Sequence, residues 1–296
     1  MIIKSQEDVT VAVLQAMADT PDARLREIMA SLVKHLHAFA RDVRLTEPEW
    51  EHAVGIVTRL GQATNNEHNE VVLASDAIGL STLVCLLNNG DAGNTETAAA
   101  LLGPFWRMHS PKTEHGGCIV RSPTPGSALF ASCLVRNSLG QPLEGVEVDV
   151  WQASPAGMYE NQDESQADMN LRGKFVTGSD GRFSFRSVRP AGYPVPVHGP
   201  VGDLLRAQGR HPYRPAHLHF LLYREGYKTL VTQVFVDDDQ YLETDVVFGV
   251  TRGLVGQFES QTGSAPAADV AGEWFSLAHT FVMEPGEASL PMPPIK

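Results

Sequence analysis

The segment RPAHLHFLLY places His217 and His219 two positions apart in a run of strand-forming residues. Side chains on a strand alternate between faces, so residues i and i+2 share one and both imidazoles converge on a single point. Two neutral imidazoles that close together are a metal-binding pair. The plain alternative is a polar face on a half-exposed strand. However, Leu218 and Leu222 do not alternate strictly with polar residues, so the segment reads as buried on both faces, where unpartnered imidazoles are costly.

The remaining donors decide the metal. A zinc hydrolase needs a further His, Cys or carboxylate and an open position, and a non-haem Fe(II) oxygenase needs a facial carboxylate. A cupin-like site needs a Glu soon after the His pair and a later His. Glu225 lies six residues after His219 beside Gly226 and reads as a turn residue, and His279 is the only later His. Two tyrosines stand in unusual loops: Tyr159 closes ASPAGMY, and Tyr193 sits in PAGYPVP between three prolines. Each is either a packing anchor or, once deprotonated, a hard oxygen donor that favours ferric iron.

The elements that carry these residues change type along the chain. Over 22–43 the apolar positions Leu25, Ile28, Met29, Leu32, Val33, Leu36, Phe39 and Val43 recur at helical steps. Thr20 before Pro21 matches an N-cap and a first-turn proline, and Thr46 with Glu49 matches a capping box. Val54, Val57 and Leu60 continue that second helix to a stop at Gly61. A further helix is predicted over 69–87, ending at Asn88, Asn89 and Gly90. After Gly103, short Val-, Phe- and Tyr-rich runs alternate with turns, at 128–135, 146–151, 174–177, 182–188, 217–223 and 229–236. Ser179, Asp180 and Gly181 form a hairpin turn between two of them. The reading is a mainly β protein with a helical N-terminal part: helical over 1–105, an antiparallel β-sandwich over 106–296. The proline-rich end, from Pro285, reads as an extended strap.

Composition narrows the function classes. The 296 residues carry 23 Lys and Arg against 35 Asp and Glu, a net charge of −12, which argues against nucleic acid or an anionic membrane as partner. The 43% hydrophobic and 20% charged residues can fill a sizeable core. No apolar run is long enough for a membrane span, and MIIKSQEDVTV lacks the pattern of a secretory signal. Cys85, Cys118 and Cys133, an odd number without a CxxC pair, read as buried thiols in a reducing cytoplasm.

Taken in order, VEVDVWQASPAGMY, PAGYPVP, GRHPYRPAHLHF and LVTQVFV resemble the intradiol ring-cleavage dioxygenases of the catechol and hydroxyquinol 1,2-dioxygenase branch, over about 70–256. The resemblance implies one Fe(III) per subunit held by Tyr159, Tyr193, His217 and His219, with Tyr193 and His219 as the axial pair. Arg214 and Gln233 match positions beside the iron, Arg214 to stabilise charge on the ring; their plain alternatives are a salt bridge and a cross-strand hydrogen bond. NEVVLASDAIGLSTLV and LLGPFW look more like the hydroxyquinol enzymes, which implies a substrate pocket of Leu73, Asp76, Gly103, Pro104, Phe105, Val195, Pro196 and Arg214. The WRMHSP stretch that follows departs from that branch. The implied reaction is O2-dependent opening of hydroxyquinol to 3-hydroxy-cis,cis-muconate, hence maleylacetate, or of a catechol to cis,cis-muconate. Family members use N-terminal helices to form a homodimer, which the apolar stripe over 22–43 fits. A zinc-dependent cupin-like hydrolase and a non-enzymatic sandwich remain as alternatives, and neither explains the two tyrosines.

Overall fold

The computed structural model describes residues 2–65, 68–89 and 96–294. They form two compact units, 1–59 and 60–296.

The first unit holds α1 (Gln6–Ala16), α2 (Ala23–Asp42) and most of α3 (Glu47–Ala63). The cap of α2 is Asp22, not Thr20: its carboxylate accepts from the amides of Arg24 and Leu25 at 2.8 and 3.0 Å, two donors the helix leaves unpaired. The predicted Thr46 and Glu49 pairing is present, with Glu49 accepting from the Thr46 amide at 2.9 Å. Gly61 does not stop α3, which runs on to Ala63. The stripe of α2 is real, yet Leu25, Ile28, Leu32, Leu36 and Phe39 are all exposed. The helix α1 was not foreseen; Ser5 and Asp8 cap it reciprocally.

In the second unit the single helix expected over 69–87 is two, α4 (Glu70–Ala77) and α5 (Leu80–Asn89), bent by 76°. Gly79 between them has φ +76°, a conformation that favours glycine and ends the first helix. The expected stop at Gly90 lies outside the described residues. Among those residues no single helix is long and apolar enough to cross a membrane.

The strands follow: β1 (Gly117–Cys118), β2 (Ala128–Asn137), β3 (Glu147–Trp151), β4 (Arg172–Val176), β5 (Arg182–Val188) and β6 (Tyr193–Pro194). After α6 (Pro200–Ala207) come β7 (Tyr213–Arg214), β8 (His217–Tyr223), β9 (Leu230–Val236), β10 (Val255–Gly256), β11 (Phe258–Gln261) and β12 (Trp274–Met283). One sheet has the order β1-β5-β2-β12-β11, the other β10-β9-β8-β3-β4, and β6 pairs with β7 as a short ribbon. The expected antiparallel sandwich is thus a mixed one. The pairs β1/β5, β2/β12 and β9/β10 are parallel, because each joins strands separated by long connections rather than hairpins.

Leu218, Phe220 and Leu222 of β8 pack with Val148 and Val150 of β3, and with Phe183, Phe185, Leu277 and Phe281, in one core cluster. By strand alternation His217, His219 and Leu221 therefore face away from that core. The change from helix to strand falls between α5 and β1, near the expected division at 105, whereas the compact units divide after Arg59. After Glu284 the chain runs extended, with the Gly286 amide donating to Gly226 O and the Ser289 amide to Thr229 Oγ1. Ile295 and Lys296 of that strap lie outside the described residues.

Candidate metal centre and substrate pocket

On the outer side of β8, four donor atoms meet. His217 Nε2 and His219 Nε2 are 3.1 Å apart, Tyr159 Oη lies 3.1 Å from both His219 Nε2 and Tyr193 Oη, and Tyr193 Oη is 3.5 Å from His217 Nε2. All four residues are buried. The strand register brings them together: His219 sits opposite Trp151 on one side and Gln233 on the other, and Tyr193 opposite Arg214. Trp151 stacks on the His219 ring at 4.7 Å and Phe105 on Tyr159 at 4.5 Å, so neither ring is free to turn.

His217 Nδ1 lies 2.7 Å from Pro215 O, which fixes its proton there and leaves Nε2 as a lone pair. Burial, aided by the charge of Arg214, pushes the His217 imidazole down to about 3. Burial and then His217 hold His219 well below its ordinary value. Burial raises both phenols, Tyr159 the further because Tyr193 stands beside it. Two nitrogen lone pairs and two hard oxygens, dry and face to face, fit a hard cation that displaces the phenol protons. Among the described residues no third His, Cys, Asp or Glu joins the imidazole pair, so the donors a zinc hydrolase or a cupin requires are not there. Glu225 and His279 stand in no such cluster.

A pocket opens beside Tyr193 and His219. Every residue expected to bind substrate lines it: Leu73, Asp76, Gly103, Pro104, Phe105, Val195, Pro196 and Arg214. Leu73 and Asp76 share a face of α4 with Asn69 and Val72, which also line it at three- and four-residue steps. Burial raises the Asp76 carboxyl, more than the Ser81 hydroxyl and Arg214 lower it. Gln233 is not in the wall. Its Oε1 accepts from Arg214 Nη2 at 3.0 Å and its Nε2 donates to Leu101 O at 2.6 Å, so it fixes two groups that are.

Several residues at the site were not read from the sequence. Asp245 is buried against Arg214. Glu160 is paired with the fully buried Arg172 at 2.7 Å and with Arg107 at 2.8 Å. His68 lines the pocket and hydrogen-bonds Glu70, whose other oxygen accepts from the Val201 amide at 2.9 Å. Val247 and Leu101 add apolar wall. Glu160 carried a signal, because a charged residue directly after a buried tyrosine must find a partner. Asp245, in ETDVVFGV, carried none.

With fold and site in view, the relationship is plain. Residues 102–285 match the family model described as dioxygenase, and 22–95 match the catechol dioxygenase N terminus. The chain belongs to the intradiol ring-cleavage dioxygenases. It is 43% identical to the 6-chlorohydroxyquinol 1,2-dioxygenase of Cupriavidus pinatubonensis, over 87% of this chain and 92% of that one. It is 41% identical to the hydroxyquinol 1,2-dioxygenase of a Rhizobium species, over 92% of each. Its fold superposes on the hydroxyquinol 1,2-dioxygenase of Pseudomonas putida DLL-E4 with a TM-score of 0.88, at 35% identity, covering 95% of this chain and 99% of the other.

Proposed function

We propose that the protein opens hydroxyquinol, benzene-1,2,4-triol, between its two adjacent hydroxylated carbons, giving 3-hydroxy-cis,cis-muconate and hence maleylacetate. The observation that carries this is the four-donor cluster opening into a pocket whose wall, among the described residues, holds one buried carboxylate, Asp76. A plain catechol offers that carboxylate no donor, whereas the third hydroxyl of the triol does. A buried carboxylate with a lone pair still to satisfy discriminates against the substrate lacking the hydroxyl. Relatives named hydroxyquinol 1,2-dioxygenase support the reading; one named catechol 1,2-dioxygenase, from Candida albicans at 38% identity, keeps catechols as the alternative substrates.

Tyr159, Tyr193, His217 and His219 would hold one Fe(III) per subunit. Ferric iron held there would supply Lewis acidity toward a bound diol. Tyr193 reaches the pocket wall, whereas Tyr159 does not. Tyr193 Oη therefore receives a proton from the incoming diol. Arg214, in the same wall, presents fixed positive charge to the ring, and a donor held in place beforehand stabilises developing negative charge at no cost in reorganisation. Phe105, Leu73 and Val195 clamp the ring and exclude water. The exposed stripe of α2 supports a homodimer, and the three unbridged cysteines support a cytoplasmic setting.

The visible spectrum of the purified protein tests this. A broad tyrosinate-to-iron band that shifts on anaerobic addition of benzene-1,2,4-triol, with one O2 consumed per triol once air is admitted, is expected. A protein that stays colourless after reconstitution with ferric iron overturns the metal assignment.

A further inference from the structure

The Arg214 guanidinium has five N–H donors, and three are committed away from the pocket. Nε and Nη2 each donate to a different oxygen of Asp245 at 3.1 Å, and the second Nη2 hydrogen goes to Gln233 Oε1 at 3.0 Å. Only Nη1 is left, 3.3 Å from His217 Nε2. A guanidinium is planar and its donors are fixed relative to one another, so gripping one edge dictates which nitrogen the opposite side presents. Asp245 is itself over-determined: besides Arg214 it accepts from the Val247 amide at 3.3 Å and the Gly249 amide at 3.0 Å. One carboxylate thus binds both the guanidinium and the loop that contributes Val247 to the pocket wall. The loop is held from its other side, with Thr82 Oγ1 donating to Val247 O at 2.9 Å and Arg210 Nη2 to Val246 O at 2.8 Å.

We propose that Asp245 is a positioning residue that selects Arg214 Nη1 as the one guanidinium nitrogen offered to the activated ring and locks it in register with the Val247 wall. The inference rests on the ring-opening reading above. Without Asp245 the guanidinium keeps its charge and its Gln233 contact but can rotate. The loss then falls on the transition state, where the donor matters, and not on diol binding.

A double-mutant cycle on the iron-loaded enzyme tests it, with iron content and anaerobic diol affinity measured alongside turnover. Asp245→Asn is expected to lower kcat roughly a hundredfold, as small misplacements of reacting groups do, with KM, diol affinity and iron content within about twofold. In an Arg214→Gln background the same substitution is expected to change kcat by less than about twofold, because residues that act through one another do not add. An equal loss in both backgrounds, or a loss carried by KM or iron content, overturns the proposal. Should Asp245→Asn fail to fold, Gly249→Ala decides. Its β-carbon would stand 3.1 Å from Arg214 Nη2 and 3.2 Å from Asp245 Oδ2, prying the pair apart with every charge retained. An unchanged kcat there overturns the proposal as well. A wild type that consumes no O2 with any diol defeats the ring-opening reading itself, a result distinct from all of these.

Discussion

The backbone at Gly103 passes against the edge of the His219 ring: a β-carbon at 103 would stand 3.1 Å from Cε1 and 3.6 Å from Nε2. Gly103 also has φ +75°, which a side chain disfavours. The glycine thus holds the pocket wall against the His219 nitrogen proposed to bind iron. Gly103→Ala is expected to tilt His219 and weaken iron binding about tenfold or more, as disturbing the support of a ligand does. Iron per subunit after dialysis against a chelator checks it, and full retention would show that the loop moves instead of the ring.

Glu160 and Arg172 are both about 1% exposed and lie immediately beside Tyr159, with the Arg172 guanidinium 5.9 Å from that ring's centre. Nε holds Glu160, and both Arg172 terminal nitrogens find no hydrogen-bond partner among the described residues. Glu160→Gln is expected to cost about 3–5 kcal/mol, because it strands a buried cation. Adding Arg172→Met should recover part of the loss. Urea unfolding of the single and double variants measures both.

His279 on β12 carries a ring nitrogen with no hydrogen-bond partner among the described residues, and burial pushes its imidazole down from 6.5 to about 4. As pH falls below 6.5 the unfolded chain takes up this proton before the folded one does. The residue's neutral form is therefore fully compatible with folding above 6.5, and stability is lost between 6.5 and 4. His279→Gln, which never charges, is expected to gain in Tm relative to wild type as pH drops from 7.5 to 4.5. A pH-independent difference would place the imidazole in contact with water.

The exposed stripe of α2 predicts a particle of about twice the 32.2 kDa chain mass on sizing with light scattering. Leu32→Glu, at the centre of the stripe, should give the single-chain mass at micromolar concentration. A dimer that survives this change uses another surface.

The chemistry was more legible than its scaffolding. His217 and His219 announce themselves by alternation, and the loop tyrosines by their proline and glycine neighbours, because local geometry is written in local spacing. What could not be read were relations between distant segments. Asp245 meets Arg214 from 31 positions away. The break between α4 and α5 hung on Gly79, which helical periodicity tolerates until the packing around Phe248, 3.3 Å from a β-carbon at 79, is known. The parallel strand pairs were hidden for the same reason, and β12 itself, with its polar and apolar residues mixed, was not recognised as a strand.

The pairing of β2 with β12 sets the order of events at the ribosome. Ala128 lies in register with Trp274, so one strand waits for a partner translated 146 positions later. Until then the first sheet lacks its fourth member, and Leu277, Phe281 and Met283 are missing from the space between the sheets. Tyr159, Tyr193, His217 and His219 will all have been translated by that time, with the inner face of β8 meeting Phe183 and Phe185 of β5 but not yet Leu277 and Phe281 of β12. At about 5–20 residues per second the wait lasts several seconds or more. The nascent chain exposes apolar strands throughout, which makes this a protein whose yield should respond to chaperone supply and to slower growth temperature.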